Sequence, residues 1–269
     1  MRRQPILSLT NINKSFHMGT VNETHVIQSL NLAVYPGDFI TIIGGNGAGK
    51  STLLNIISGN LTPDSGDIRL GSQVITHQSE QQRAAKMARV FQDPTMGTAP
   101  RMTIAENLRI AALRGQKRGL RFGMNQAIRQ QFKTLVASLH MGLEDKLDTE
   151  VQYLSGGQRQ AIALLMATIQ TPEILLLDEH TAALDPQVAH TVMELTNERV
   201  TSEDITALMI THNLEDAIHY GNRLIMLHRG QIALDIAGED KASLTSAELL
   251  RHFSQHADHS ELSDRLLLS

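Results

Sequence analysis

The chain contains no cysteine and no tryptophan. Without cysteine there can be no disulfides, zinc-thiolate sites or cysteine nucleophiles, and the composition fits a reducing compartment. Aromatic residues are only 3% of the 269, too few for the stacked platforms of single-strand nucleic-acid binders. A strong charge of either sign is also missing. Lys+Arg number 24 and Asp+Glu 28, a formal net charge of −4, which argues against general binding of a phosphate backbone. Long apolar runs are absent too. The longest, Ala161 to Ile169, is about half of the roughly 20 residues that a bilayer needs. The opening MRRQPILSLTNIN has two arginines but no apolar core before Asn11, so no signal peptide is expected. These absences point to a soluble cytoplasmic protein that can still dock on a membrane protein.

What is present is a globular composition, 41% hydrophobic and 19% charged. The first part reads as strands: ILSLTNI, HVIQSLNLAVY and DFITIIG are β-branched and alternating, with a turn at Pro36-Gly37. KSTLLNIISGN reads as a helix stopped by Gly59 and Asn60. DIRLGSQVIT predicts a hairpin around Gly71-Ser72, SEQQRAAKMA a short polar helix, and RVFQ a strand. The middle of the chain is helical in pattern. MTIAENLRIAALRG begins with a capping-box spacing, Thr103 to Glu106. NQAIRQQFKTLVASLHMG places Ile128, Phe132, Leu135, Val136 and Leu139 on one face. GQKRGLRFG between them, with Lys117, Arg118 and Arg121, reads as a solvated basic loop. The last third alternates strand and helix and ends in a hairpin at Arg229-Gly230. A helix opened by Thr245 and Glu248 follows, then a polar tail.

Two segments carry phosphate chemistry. GGNGAGKS, Gly44 to Ser51, fits the P-loop spacing and lies between the strand FITII and the helix STLLNII. Glycines let such a loop curl its N–H groups inward around an anion, and the helix N-terminus adds partial positive charge. Gly44, Gly45, Asn46, Gly47, Ala48, Gly49, Lys50, Ser51 and Thr52 are the candidate nucleotide contacts. Lys50 is placed to reach the β- and γ-phosphates, and Ser51 to offer a hydroxyl to Mg²⁺. EILLLDE adds an apolar strand ending in Asp178 and Glu179. The first acid suits Mg²⁺, and the second can orient an attacking water or take its proton. LSGGQ, starting at Leu154, opens an amphipathic helix whose N-terminus, around Ser155, Gly156, Gly157 and Gln158, is a second anion site or simply a well-capped helix.

With LSGGQ following a P-loop, the sequence resembles the ABC ATPase family, the nucleotide-binding subunits of ATP-driven transporters. The resemblance runs from about Leu7 to Phe253. It implies an α/β fold: a RecA-like P-loop NTPase core (5–92 and 166–240) with an N-terminal antiparallel β part. It also implies an inserted helical subdomain at about 93–165, the whole domain spanning 5–253 before a tail at 254–269. It assigns further residues one at a time. Phe16 matches the aromatic that stacks on adenine. Gln92 in RVFQDP matches the glutamine that senses the metal and γ-phosphate. Asp185 in AALDP faces the partner subunit, and His212 in MITHN contacts the γ-phosphate. Ser155 and Gly157 would complete the partner's site in trans, while Glu179 and His212 act in cis. The resemblance therefore implies ATP and Mg²⁺, a homodimer, integral membrane permease subunits and a location on the cytoplasmic face of the membrane. It does not suggest nucleic acid as a partner.

The strings QDPTMGTAPRMTIAEN, RGLRFGMN and DEHTAALDP resemble a subgroup working with an extracytoplasmic substrate-binding protein and a branched-chain-amino-acid-type permease. That implies import, with an amino acid or aromatic small molecule as cargo. Met96, Pro100 and Met102 are then expected near the permease contact. An exporter or lipid-extraction ATPase stays open as an alternative. A soluble ABC ATPase acting on ribosomes or DNA is less favoured, because the spacing from Gly44 to Leu154 leaves no room for a long coiled coil and the chain has one nucleotide site. One departure is His180, where most transporter ATPases have proline after the catalytic glutamate. Simple tolerance of a non-proline residue is the plain reading, and a change of charge near Glu179 the alternative. His252, His256 and His259 suggest a solvated C-terminal stretch more than a metal site.

Overall fold

A computed structural model describes residues 4–116 and 124–256 of the chain. The basic run Lys117, Arg118 and Arg121, together with His259, lies outside the described residues. Strands β1 (Leu7–Phe16), β2 (Thr24–Val34) and β3 (Phe39–Ile43) come first, then helix α1 (Lys50–Ser58). Next are β4 (Ser65–Leu70), β5 (Gln73–Val74), α2 (Glu80–Arg83) and β6 (Met87–Val90). Helices α3 (Ile104–Ala112), α4 (Gln126–Ala137) and α5 (Gly156–Thr168) occupy the middle, with a 3₁₀ turn at Val151–Tyr153. The rest runs β7 (Ile174–Asp178), α6 (Pro186–Ser202), β8 (Ala207–Ile210), α7 (Leu214–His219), β9 (Arg223–His228) and β10 (Gln231–Ala237). Two helices, α8 (Gly238–Ala242) and α9 (Ser246–His256), follow. The chain divides into two units, one of Met1–Arg83 with Thr206–Ser269, the other of Ala84–Ile205.

The first unit holds an antiparallel sheet in the order β2-β1-β4-β5. The β1–β2 register shifts three times between Leu9 and Ser15. Asn11 and Ser29 have left-handed backbones there, at φ 51° and 47°. Asparagine side chains take over the ladder's bonds: Asn11 N donates to Asn31 Oδ1 at 2.9 Å, and Ser29 N to Asn13 Oδ1 at 2.8 Å. The bulges thus leave these amide groups satisfied. In the same unit β3 lies between β8 and β9, parallel to both, and β10 runs antiparallel to β9. All five residues of β3 are buried, as a parallel strand covered on both faces requires. The chain leaves β3 at its carboxyl end and enters the Gly44–Ser51 loop, then α1. Arg83 closes the far end of α1. Its buried guanidinium donates to Ile56 O (2.8 Å), Ile57 O (2.7 Å), Ile75 O (2.6 Å), Thr76 O (3.1 Å) and Gln78 O (3.1 Å). Burial lowers its pKa to about 10, so it stays charged at neutral pH.

In the second unit β6 and β7 pair in parallel, Met87 opposite Ile174 through Val90 opposite Leu177. Between them the described residues form helices and turns, and their only bridge joins Thr103 and Glu150. The Thr103–Glu106 capping box forms at the start of α3. Phe132, Val136 and Leu139 are buried, as the periodicity predicts. Two elements depart from their sequence patterns, one displaced by two residues and one shortened. The strand predicted as RVFQ is Met87–Val90, because its pairing with β7 ends at Val90, leaving Gln92 exposed beyond it. The polar helix is only Glu80–Arg83, since Arg83 turns inward to the α1 carbonyls. Among the described residues no helix is long and apolar enough to cross a membrane.

Candidate functional site

In the first unit, Lys50 opens α1 and folds back over the loop before it. Its Nζ donates to Gly44 O at 2.7 Å and Gly45 O at 3.1 Å. Gly49 occupies the N-cap position with φ 102° and makes no side-chain cap hydrogen bond. A Cβ on Gly49 would stand 2.8 Å from Val26 O and from Ile27 Cδ1. Both the backbone angle and the close approach of β2 therefore require glycine there. The β9–β10 turn braces the same loop: Gly230 N donates to Ala48 O at 3.1 Å, and Gly230 O accepts from Gln28 N at 3.0 Å. Ser51 is exposed and Thr52 half-buried. Phe16 ends β1 opposite Thr24, half-buried, with Lys14 Nζ 5.9 Å from its ring centroid. His212 is exposed just after β8, the strand paired with β3. Thr211 N donates to Ile42 O at 3.2 Å, and Asn213 caps α7, so the residues on either side hold its backbone.

In the second unit, β7 delivers Asp178 from a fully buried strand, Ile174 to Leu177. Arg89 on β6 donates from Nη2 to Asp178 Oδ2 at 2.5 Å, with its guanidinium 4.7 Å from the Phe91 ring. No local pattern announces this ion pair, since only the β6–β7 register brings the two side chains together. Glu179 is half-buried at φ 47°. A left-handed backbone at a residue other than glycine costs roughly 1–2 kcal/mol, so its surroundings must hold it there. The next residue, His180, is 2% exposed, with Nε2 3.0 Å from Thr196 Oγ1 on α6. Burial pushes its imidazole down to about 4, so it is neutral at physiological pH and adds no charge beside Glu179.

The signature segment starts α5 with a complete capping box. Gln158 N donates to Ser155 Oγ at 3.3 Å, and Ser155 N donates to Gln158 Oε1 at 3.2 Å. Ser155 and Gly156 are exposed, whereas Gly157 is buried. A Cβ on Gly157 would lie 2.1 Å from Val188 Cγ1 of α6. Its glycine thus serves packing between α5 and α6, a reason that the spacing of LSGGQ does not reveal. Asp185 caps α6, accepting from Val188 N at 3.2 Å. Gln92 is exposed beyond Phe91, whose carbonyl accepts from Gln160 Nε2 at 3.0 Å.

Sequence reasoning also missed Asn107. Fully buried on α3, it accepts from Ala99 N at 2.7 Å and donates to Ala99 O, Met102 O and Thr103 O at 3.0–3.2 Å. It fixes the loop carrying Pro100 and Met102, which are half-buried; Met96, earlier in that loop, is 69% exposed. The available signal was a polar residue at a core-facing position of an otherwise apolar stripe.

The family model described as ABC transporter matches residues 27–182, more than half of the chain. The chain belongs to the ABC transporter ATP-binding family. It is an ABC-type ATPase. It is 45% identical to the tyrosine transport ATP-binding protein of Clostridioides difficile, covering 92% of this chain and 98% of that protein. It is 32% identical to the thiamine import ATP-binding protein ThiQ of Photobacterium profundum, over 88% and 96% of the two chains. Among solved structures, a dimeric ATP-binding cassette in a post-hydrolysis state with ADP and Pi superposes with a TM-score of 0.72 at 27% identity, covering 86% of this chain and 98% of that one. The ADP conformation of another ABC transporter cassette gives 0.75 at 26% identity, over 93% and 98%. The mixed α/β fold of this ABC ATPase, with its RecA-like P-loop core, is thus the fold of known cassettes.

Proposed function

We propose that this ABC ATPase is the energy subunit of an importer, binding Mg-ATP and using its hydrolysis to drive a permease. The full-length relationship to a tyrosine transport subunit carries this reading, and the thiamine and spermidine/putrescine import names of other relatives agree with it. In this proposal Phe16 stacks on adenine, and residues Gly44 to Thr52 hold the phosphates. Lys50 exchanges the carbonyls of Gly44 and Gly45 for phosphate oxygens. Glu179 orients the attacking water or takes its proton, and His212 contacts the γ-phosphate.

The donor set fits Mg²⁺. Ser51 offers a hydroxyl, Gln92 an amide oxygen and Asp178 a carboxylate, all hard oxygen ligands. Magnesium binds through one or two carboxylates plus substrate phosphates, so it needs no protein cage. When bound, Mg²⁺ neutralises charge developing on the phosphates.

Two copies would pair so that Ser155, Gly156, Gly157 and Gln158 of one meet the nucleotide of the other, with Asp185 at the interface. Met96, Pro100 and Met102 would border the permease, placing the chain on the cytoplasmic face of the membrane. The tyrosine transport name of that relative supports an amino acid or aromatic small molecule as cargo. In this proposal an extracytoplasmic binding protein delivers it to a branched-chain-amino-acid-type permease. The test is an affinity pull-down from detergent-solubilised native membranes. A multi-span permease with a co-enriched binding protein is the expected recovery. Recovery of only ribosomal or DNA-repair proteins would overturn the transport reading.

A further inference from the structure

We infer that His180 is a positioning residue for the catalytic glutamate, acting through a hydrogen bond to Thr196 that anchors the Glu179 turn to helix α6. The inference rests on the proposed role of Glu179 and goes beyond it by naming what holds that side chain in place. Thr196 is fully buried, and its hydroxyl donates to Val192 O at 2.8 Å. With that proton committed, the oxygen can only accept from His180, so Nε2 carries the hydrogen. Glu179 therefore sits between two fixed points. Before it, β7 is buried throughout from Ile174 to Leu177. After it, His180 is locked to α6. The turn closes on itself as Ala182 N donates to Glu179 O at 3.0 Å.

This frame explains how a left-handed glutamate persists without glycine's freedom. It also gives the residue at 180 a task that proline, which has no side-chain donor, would have to perform by stiffening the backbone instead. The same helix contacts the signature. Val188 packs on Gly157, so α6 carries both the anchor of the Glu179 turn and a contact to the start of α5.

The experiment measures steady-state ATPase kinetics of the purified full-length chain with Mg-ATP. Variants are His180→Leu, Thr196→Val, the double variant, His180→Gln and Glu179→Gln. Misplacing a reacting group by an ångström costs up to about a hundredfold in rate. His180→Leu and Thr196→Val should each lower kcat by about tenfold or more while KM for ATP stays within about twofold. The double variant should be no worse than the singles, because both delete one bond. His180→Gln, which keeps an Nε2–H donor at similar reach, should recover most of kcat. Thermal melts of Thr196→Val check that the fold persists. Unchanged kcat in a folded Thr196→Val, with Glu179→Gln inactive, would overturn the positioning role alone. Full activity in Glu179→Gln would instead remove the catalytic assignment on which the role depends.

Discussion

Lys50 donates to carbonyls of its own loop, and that geometry defines its task. A cation held at 2.7 and 3.1 Å by two backbone oxygens is already aimed at the space that the loop encloses. A hydrogen bond to a charged group contributes about 1.5–3 kcal/mol. Replacing Lys50 with alanine should therefore weaken ATP binding by about ten- to a hundredfold. Titration with a fluorescent ATP analogue measures this, and affinity within twofold of the parent would contradict it. Arg89 makes a parallel case at Asp178. Its ion pair orients the carboxylate with 10% and 15% of the two side chains exposed. At this scale the proposed chemistry belongs to residues that the sequence pattern names, while their neighbours hold them in position.

Helices show the same division. Gly157 begins α5 against Val188 of α6, so Gly157→Ala should destabilise the protein by overpacking, about 1–3 kcal/mol. Val188→Ala in the same chain should restore most of the melting temperature. ATPase activity that stays lost in the restored double variant would locate a second role of Gly157, at the partner's nucleotide. Recovery of both would assign the glycine to packing alone. The α3 cap offers an independent case. Hydrogen bonds from Thr103 hold the Glu106 carboxyl below its ordinary value of 4.5. A depressed carboxylate stabilises the folded state above the unfolded pKa, and this contribution is lost as pH falls through the folded value. Thr103→Ala should cost about 1 kcal/mol near neutrality. The gap from the parent should narrow but not close as pH falls below 4.5, because only the bond from the Thr103 hydroxyl to the carboxylate is lost on protonation, whereas the cap bond from Glu106 N to Thr103 Oγ1 does not titrate; melts across an acid pH series will show this.

For the whole molecule, the decisive property is association. A ligand that binds a closed dimer better than free monomers shifts the population toward the dimer, and hydrolysis releases it. Glu179→Gln removes the proposed base but keeps the nucleotide contacts. Light scattering should therefore find it dimeric with Mg-ATP and monomeric without nucleotide. Monomer under both conditions would contradict the proposed head-to-tail pairing. A solved cassette similar in fold is itself dimeric with ADP and Pi.

Much of this was legible before any coordinates. The P-loop could be read because its chemistry is local: strand, glycine turn and helix N-terminus are consecutive in the chain. Capping boxes at Thr103 and Thr245 were readable for the same reason, since each links residues three apart. The buried stripe of α4 followed from helical period. By itself, then, the sequence determined most of the strands and helices and which faces turn inward. Tertiary structure alone decided the partners of the polar groups. Arg89 on Asp178, Asn107 under the loop after Gln92, His180 on Thr196 and Asn31 on Asn11 all join residues separated along the chain. Periodicity shows that a face is buried, whereas the register of a strand pair or the packing of two helices selects the atom that it meets.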